Sequence, residues 1–180
     1  MTLGMSSDSV LPRKGSSMYG FMKETKAKQK KTTNRFRLLN KFLITPFYRV
    51  NILPIFQIGR IFVLLYTKGR KSGKTRVTPV EFRRYQGKIL VFSARGKYGD
   101  WYKNILANPD DLKIKIGFKK YKPTVQTTNL ERKLEILKWY MESFPKAAKQ
   151  LFGYHKKTDT ISDELIMPVA EFVEILELTI

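Results

Sequence analysis

The sequence predicts a mainly β domain with a few helices, an α+β arrangement built on a small, mostly antiparallel barrel or sheet. Three observations predict it. Short apolar runs alternate with glycine-containing polar turns, too closely spaced for crossover helices. One run, Lys88 to Ala94, is nearly continuous, as in a strand buried on both faces. Helical periodicity is confined to a few stretches. The 180 residues suit one domain plus a tail. The expected division is a basic, disordered tail over residues 1–33 and a barrel domain with an N-terminal helix over residues 34–180.

Residues 1–33 mix Ser, Gly and Pro with Lys23, Lys26, Lys28, Lys30 and Lys31 and hold few apolar residues. A helix is predicted from Asn34, its cap, with Phe36, Leu38, Leu39, Phe42 and Leu43 on one stripe and Pro46 as its stop. The apolar stretch from Phe42 to Thr67 is interrupted by Arg49 and Arg60, so it is too broken to span a bilayer. Without the features of a secretory leader, the expected location is the cytoplasm. Phe42, Leu43, Phe47 and Tyr48 between Lys41 and Arg49 read either as core packing or as an interfacial membrane patch, core packing being favoured.

Ile61 to Tyr66 and Thr75 to Arg84 flank the turn Gly69-Arg70-Lys71-Ser72-Gly73-Lys74 and form a hairpin. Gln86-Gly87 turns the chain into the buried strand from Lys88. Asp100 is placed as the cap of a short helix from Trp101 to Ala107, ended by Asn108-Pro109. Lys113 to Ile116 alternates and returns after Gly117 through Tyr121 to Thr127 as a second hairpin. Thr128-Asn129-Leu130-Glu131 reads as a capping box with Thr128 as the cap. The helix it opens carries Leu130, Leu134, Leu137, Met141 and Phe144 on one face. Pro145 to Gly153 is a short helix, and Ile166 to Leu178 is predicted as a final strand.

Charge and missing residue types narrow the chemistry. Lys and Arg number 35 against 15 acids, a net charge of +20, which calls for an anionic partner. With no Cys there can be no thiolate metal site, iron–sulfur ligation or cysteine nucleophile, and His155 alone cannot make a two-histidine metal site. What survives is an enzyme whose chemistry resides in an organic cofactor, or a binder of anions. The Gly69 to Thr75 loop is not a phosphate loop of the nucleotidase kind. That motif needs four residues between its glycines and a following helix; three separate Gly69 from Gly73, and Val77-Thr78-Pro79 favours an extended chain. Two glycines, Ser72 and the cations Arg70, Lys71, Lys74 and Arg76 still make it a candidate anion site, weighed against a merely solvated turn.

The run Leu64 to Pro79, LLYTKGRKSGKTRVTP, followed by Trp101 to Pro109, WYKNILANP, resembles the deazaflavin-dependent nitroreductase family, from about Phe36 to Thr128. The resemblance implies a split β-barrel related to flavin-mononucleotide-binding proteins. It implies coenzyme F-420 and transfer of a hydride from its reduced form to an electrophilic acceptor such as a quinone, a nitro compound or an unsaturated lipid-like molecule. It further implies that Arg70, Lys71, Ser72, Gly73 and Arg76 bind the phosphate and acidic tail, and that Val77, Thr78 and Pro79 line the ring and ribityl region. Phe92, Ser93, Ala94, Arg95, Trp101 and Asn104 would close the pocket. The C-terminal part does not match, so the catalytic side chain stays open, with Tyr154, His155 or water as candidate proton donors. Partners implied are a small-molecule acceptor and a second copy of the chain. An anionic membrane surface would meet the basic N-terminal region, and nucleic acid is disfavoured because no recognition motif is present. The alternatives are a flavin-mononucleotide oxidoreductase of the same barrel, and a non-enzymatic basic protein binding nucleic acid or a membrane surface.

Overall fold

A computed structural model describes residues 10–23 and 61–180. The helix expected from Asn34 and the Phe42 to Tyr48 patch lie outside the described residues. Contacts group the chain into two compact units. Among the described residues, one holds 10–23, Ala94–Gly96 and Thr128–Glu174, and the other holds 61–93, Lys97–Thr127 and Ile175–Ile180.

The second unit is a seven-stranded sheet: β1 (Phe62–Lys68), β2 (Thr75–Tyr85), β3 (Lys88–Ser93), β4 (Lys113–Ile116), β5 (Lys119–Tyr121), β6 (Thr124–Thr127) and β7 (Glu174–Thr179), in the order β5-β4-β1-β2-β3-β7-β6. The first hairpin is as expected, antiparallel with Lys68 opposite Thr75. Gln86 and Gly87 both have positive φ, 49° and 75°, the mirror-image turn whose twist matches a two-residue hairpin between β2 and β3.

The two edges of this sheet are joined by Lys122 and Pro123 alone, the link from β5 to β6. In a flat sheet the edges of seven strands stand roughly 29 Å apart, six spacings of about 4.8 Å, whereas so short a link reaches about 11 Å. The sheet must therefore curl into an open barrel, as predicted. One core cluster confirms the curl: Val63, Leu65, Val80, Phe82, Ile89, Val91, Ile114, Leu176 and Leu178 meet, with Tyr121 and Val125 from the two edge strands packed on the same cluster. The expected hairpin return through to Thr127 is corrected accordingly. Only Lys119–Tyr121 pairs with β4, while Thr124–Thr127 pairs with β7. Pro123 separates them because it has no N–H to give to a ladder. The helix α2 (Asp100–Ala107) sends Tyr102 and Ile105 into this core.

The first unit is helical: α1 (Ser17–Lys23), α3 (Leu130–Ser143), α4 (Pro145–Phe152) and α5 (Asp163–Phe172). Three expectations are corrected here. Asn129, not Thr128, caps α3, its side chain accepting from the Arg132 N–H at 2.9 Å. Residues 163–172 are helix rather than strand: Ser162 caps them, accepting from the Leu165 N–H at 3.2 Å, and Asp163 and Glu164 suit the first turn. Only Glu174–Thr179 remains extended. Third, residues 10–23 are packed although composition places them in a disordered tail. Leu11 and Met18 are buried, and the Leu11 N–H donates to the Leu165 carbonyl at 2.8 Å. Two well-placed apolar side chains and one arginine outweigh a polar composition.

That arginine, Arg13, grips Asp159 through two hydrogen bonds of 2.7 and 3.0 Å and also donates to the Gly153 carbonyl at 3.0 Å. Burial alone would raise the Asp159 pKa. The Arg13 guanidinium, the His155 backbone N–H and the Thr158 hydroxyl together hold it below its ordinary value. Among the described residues no helix is long and apolar enough to cross a membrane.

Because the Asp159 pKa is lower folded than unfolded, the unfolded state takes up more protons as pH drops. Its contribution is therefore complete above the ordinary carboxyl value of 3.8 and is lost as pH falls below it. Asp159→Asn is expected to cost about 2–3 kcal/mol at neutral pH and to flatten the acid limb of stability, measured by urea unfolding at several pH values.

Candidate functional site

Strand direction brings the site together. The end of β1, the start of β2 and the end of β3 lie at one rim of the barrel because consecutive antiparallel strands run in opposite senses. The loop between β1 and β2 is tight. The Gly69 N–H donates to the Lys74 carbonyl at 2.9 Å, and the Gly73 N–H donates back to the Gly69 carbonyl at 2.7 Å. A Cβ at Gly69 would stand 2.8 Å from the Ser72 Oγ, which would have to turn away, and 3.2 Å from the Lys74 carbonyl, with the Arg76 side chain close by. Gly73 supplies the left-handed turn at φ 65°.

Arg70 is not a free cation. Its backbone N–H and its Nη1 both donate to the Oδ1 of Asn104, at 3.2 and 3.0 Å, and its guanidinium also reaches the carbonyl and carboxylate of Asp100. Asn104 is buried, so its amide oxygen fixes the loop onto α2. Asp100 was expected to cap that helix. The structure places Gly99 at the cap and Asp100 in the first turn, where its carboxylate faces Arg70. Lys71, Lys74 and Arg76 are exposed and have no carboxylate partner among the described residues.

The strand pleat sorts the remaining expected residues. Arg76 and Thr78 share the face of Val80 and Phe82, and Ser93 that of Ile89 and Val91, toward the barrel interior. Val77, Pro79 and Phe92 alternate onto the opposite face, so of Val77, Thr78 and Pro79 only Thr78 sends its side chain toward the interior. Trp101 is half-buried against the core and meets Tyr102 edge-on, with ring centres 6.1 Å apart. Ala94 and Arg95 belong to the helical unit, as do Tyr154 and His155. Tyr154 is buried, and burial, then the charges of Asp159 and Glu142, raise its pKa, so its phenol stays protonated. His155 is exposed.

Two residues escaped the sequence reading. Thr67 is 2% exposed, its hydroxyl has no hydrogen-bond partner among the described residues, and it continues the inner face of Val63 and Leu65 to stand opposite Arg76. The alternation of Val63, Leu65 and Thr67 was the available signal. Asp100 as the partner of Arg70 had none, because thirty residues separate them.

Inner-face hydroxyls, the glycine-turned cationic loop and the flat Trp101 ring of α2 thus gather at this rim, a set of donors whose chemistry suits an anionic, ring-bearing organic group. The family model for F420H(2)-dependent quinone reductases matches residues 50–162, and the chain belongs to that family. It is a deazaflavin-dependent oxidoreductase whose cofactor is coenzyme F-420, and the non-enzymatic alternative gives way to this assignment. Among solved structures, an F420-H2 dependent reductase, FDR-A, is 26% identical over 66% of this chain and 94% of its own, with a TM-score of 0.44. A chain described as a domain-swapped dimer is also 26% identical, over 74% and 98%, at 0.43. A nimc/nima family protein from Clostridium acetobutylicum is 17% identical over 74% and 83%, also at 0.43.

If the buried Asn104 amide holds the loop, Asn104→Ala will destabilise the protein by about 1–3 kcal/mol, since it strands the Arg70 N–H. Asp100→Asn, which removes only a partly exposed ion pair, will cost at most about 1 kcal/mol. Denaturant unfolding of both variants checks the difference, and equal losses would transfer the role to the ion pair.

Proposed function

We propose that this chain reduces a quinone-type acceptor with reduced coenzyme F-420, and that the loop Gly69 to Arg76 holds the coenzyme's anionic tail. The observation that carries the reading is the set of exposed cations Lys71, Lys74 and Arg76, unpaired among the described residues, around the Gly69 cradle. A phosphodiester with several carboxylates requires such donors, and the donor chemistry here fits it. Arg70 works differently: held by Asn104, it sets the loop's position and contributes field rather than a flexible contact.

When bound, the coenzyme supplies the hydride; the protein supplies placement. Trp101 offers a flat wall for a ring. Thr67, Thr78 and Ser93 present hydroxyls on the inner face, and the Thr67 hydroxyl, unpartnered among the described residues, would be available to hydrogen-bond a polar edge of the bound ring. Hydride transfer to a neutral acceptor leaves an anion that needs a proton at the end, which water can supply. No side chain acts as a nucleophile, in keeping with a chain that has no Cys and one His. The acceptor's identity as a quinone rests on the family's description.

Fluorescence titration tests the assignment. Arg76→Glu and Lys71→Glu are expected each to weaken coenzyme F-420 binding by more than about tenfold, with a shallower salt dependence than the parent, since each reversal turns an attraction of roughly 1 kcal/mol or more into a repulsion. Tight binding of flavin mononucleotide with no response to the deazaflavin would overturn the cofactor, and unaltered affinity in both variants would move the anion site elsewhere.

A further inference from the structure

The β4–β5 hairpin carries chemistry that the coenzyme site does not use. From Leu112 to Lys122 the sequence LKIKIGFKKYK holds Lys113, Lys115, Lys119, Lys120 and Lys122 and no acid. The register sets Lys115 directly opposite Lys120. Like charges so placed oppose folding, and burial together with the Lys120 charge lowers the Lys115 pKa. Lys120 leans over the Tyr66 ring at 5.9 Å, while Lys113, Lys119, Lys120 and Lys122 are exposed. At the tip, Gly117 turns the chain at φ 57° and leaves Phe118 66% exposed, more than any other large apolar side chain among the described residues.

Guarding a sheet edge explains lysines on β5, which is an edge strand. It does not explain them on β4, which is paired on both sides, nor a bare phenylalanine at the tip. We propose that this hairpin docks on an anionic lipid surface, its lysines meeting the headgroups and Phe118 entering the acyl boundary beneath them. Charge complementarity selects an anionic surface, and a single aromatic wedge on a basic hairpin selects a bilayer. A single-stranded nucleic acid would call for a platform of exposed rings. Tyr121 is instead half-buried against the core, and Tyr66 lies beneath Lys120. Docking here does not depend on what the coenzyme site binds.

Co-sedimentation of the full chain with vesicles tests this, using phosphatidylcholine alone and phosphatidylcholine mixed with phosphatidylserine. Binding is expected only to the mixed vesicles and should fall with salt. Lys119→Gln combined with Lys120→Gln should lower partitioning at least about tenfold, each lysine near such a surface being worth about fivefold. Phe118→Trp should gain fluorescence that brominated acyl chains quench, above the signal of Trp101 and Trp139, and coenzyme titrations should be unchanged in both variants. Should the lysine variant fail to fold, the quenching in Phe118→Trp decides alone. Absence of vesicle binding overturns the proposal, as does binding that survives the lysine substitutions with no added quenching. Hairpin-dependent binding of a single-stranded oligonucleotide without vesicle binding overturns it in favour of nucleic acid.

Discussion

Two residues, Lys122 and Pro123, connect the opposite edges of a seven-stranded sheet, and this geometric constraint governs the β unit. So short a link forces curvature, and curvature converts one face of every strand into a single interior. Residues far apart in the chain, such as Val63, Ile89, Ile114 and Leu178, thereby share one core. The same curvature turns the strand ends into a rim where side chains from β1, β2 and β3 converge. A flat sheet of this composition would expose a face of valines, leucines and isoleucines instead.

The rim separates two tasks among its cations. Arg70 is committed to the protein itself: its hydrogen bonds to Asn104 and Asp100 tie the loop to α2, whose Tyr102 and Ile105 pack into the core. Lys71 and Lys74 leave their charge exposed on the loop, and Arg76 does so from the inner face of the rim. A rigid attachment beside mobile-ended cations suits an anion site, because the fixed residue sets the loop's shape while long side chains adapt to a ligand with several negative groups. The loop is tightest at Gly69, where a side chain would crowd the Ser72 hydroxyl and the Lys74 carbonyl.

Much of this was legible. Hairpins announced themselves through glycine-bounded turns, and the buried strand Lys88–Ser93 through its unbroken apolar run. Errors fell where local pattern and long-range pairing disagree. Thr124–Thr127 looks like the return of a hairpin, yet its ladder partner β7 comes from the chain's end. Ile166 to Phe172 has β-branched and apolar residues in number, but a Ser162 cap and two acids in the first turn favour helix. Leu11, Arg13 and Met18 sit in a polar context, and only their partners, Leu165, Phe152 and Asp159, make them structural. In the site, the expected residues Val77, Thr78 and Pro79 are adjacent in sequence and therefore on alternate faces, a consequence of the pleat that a motif cannot express.

The sequence by itself determined the class of fold, the family motifs and the chemistry available, because glycine spacing, apolar runs and the absence of Cys are local or compositional properties. Tertiary structure decided which strands pair, that the sheet curls, that Arg70 is spent on Asn104, and that Thr67 carries a hydroxyl at the rim unpartnered among the described residues. The physical reason is the same in each case. A side chain's partner, and hence its free charge or hydrogen-bonding capacity, depends on residues brought close by chain closure and not on its neighbours in sequence.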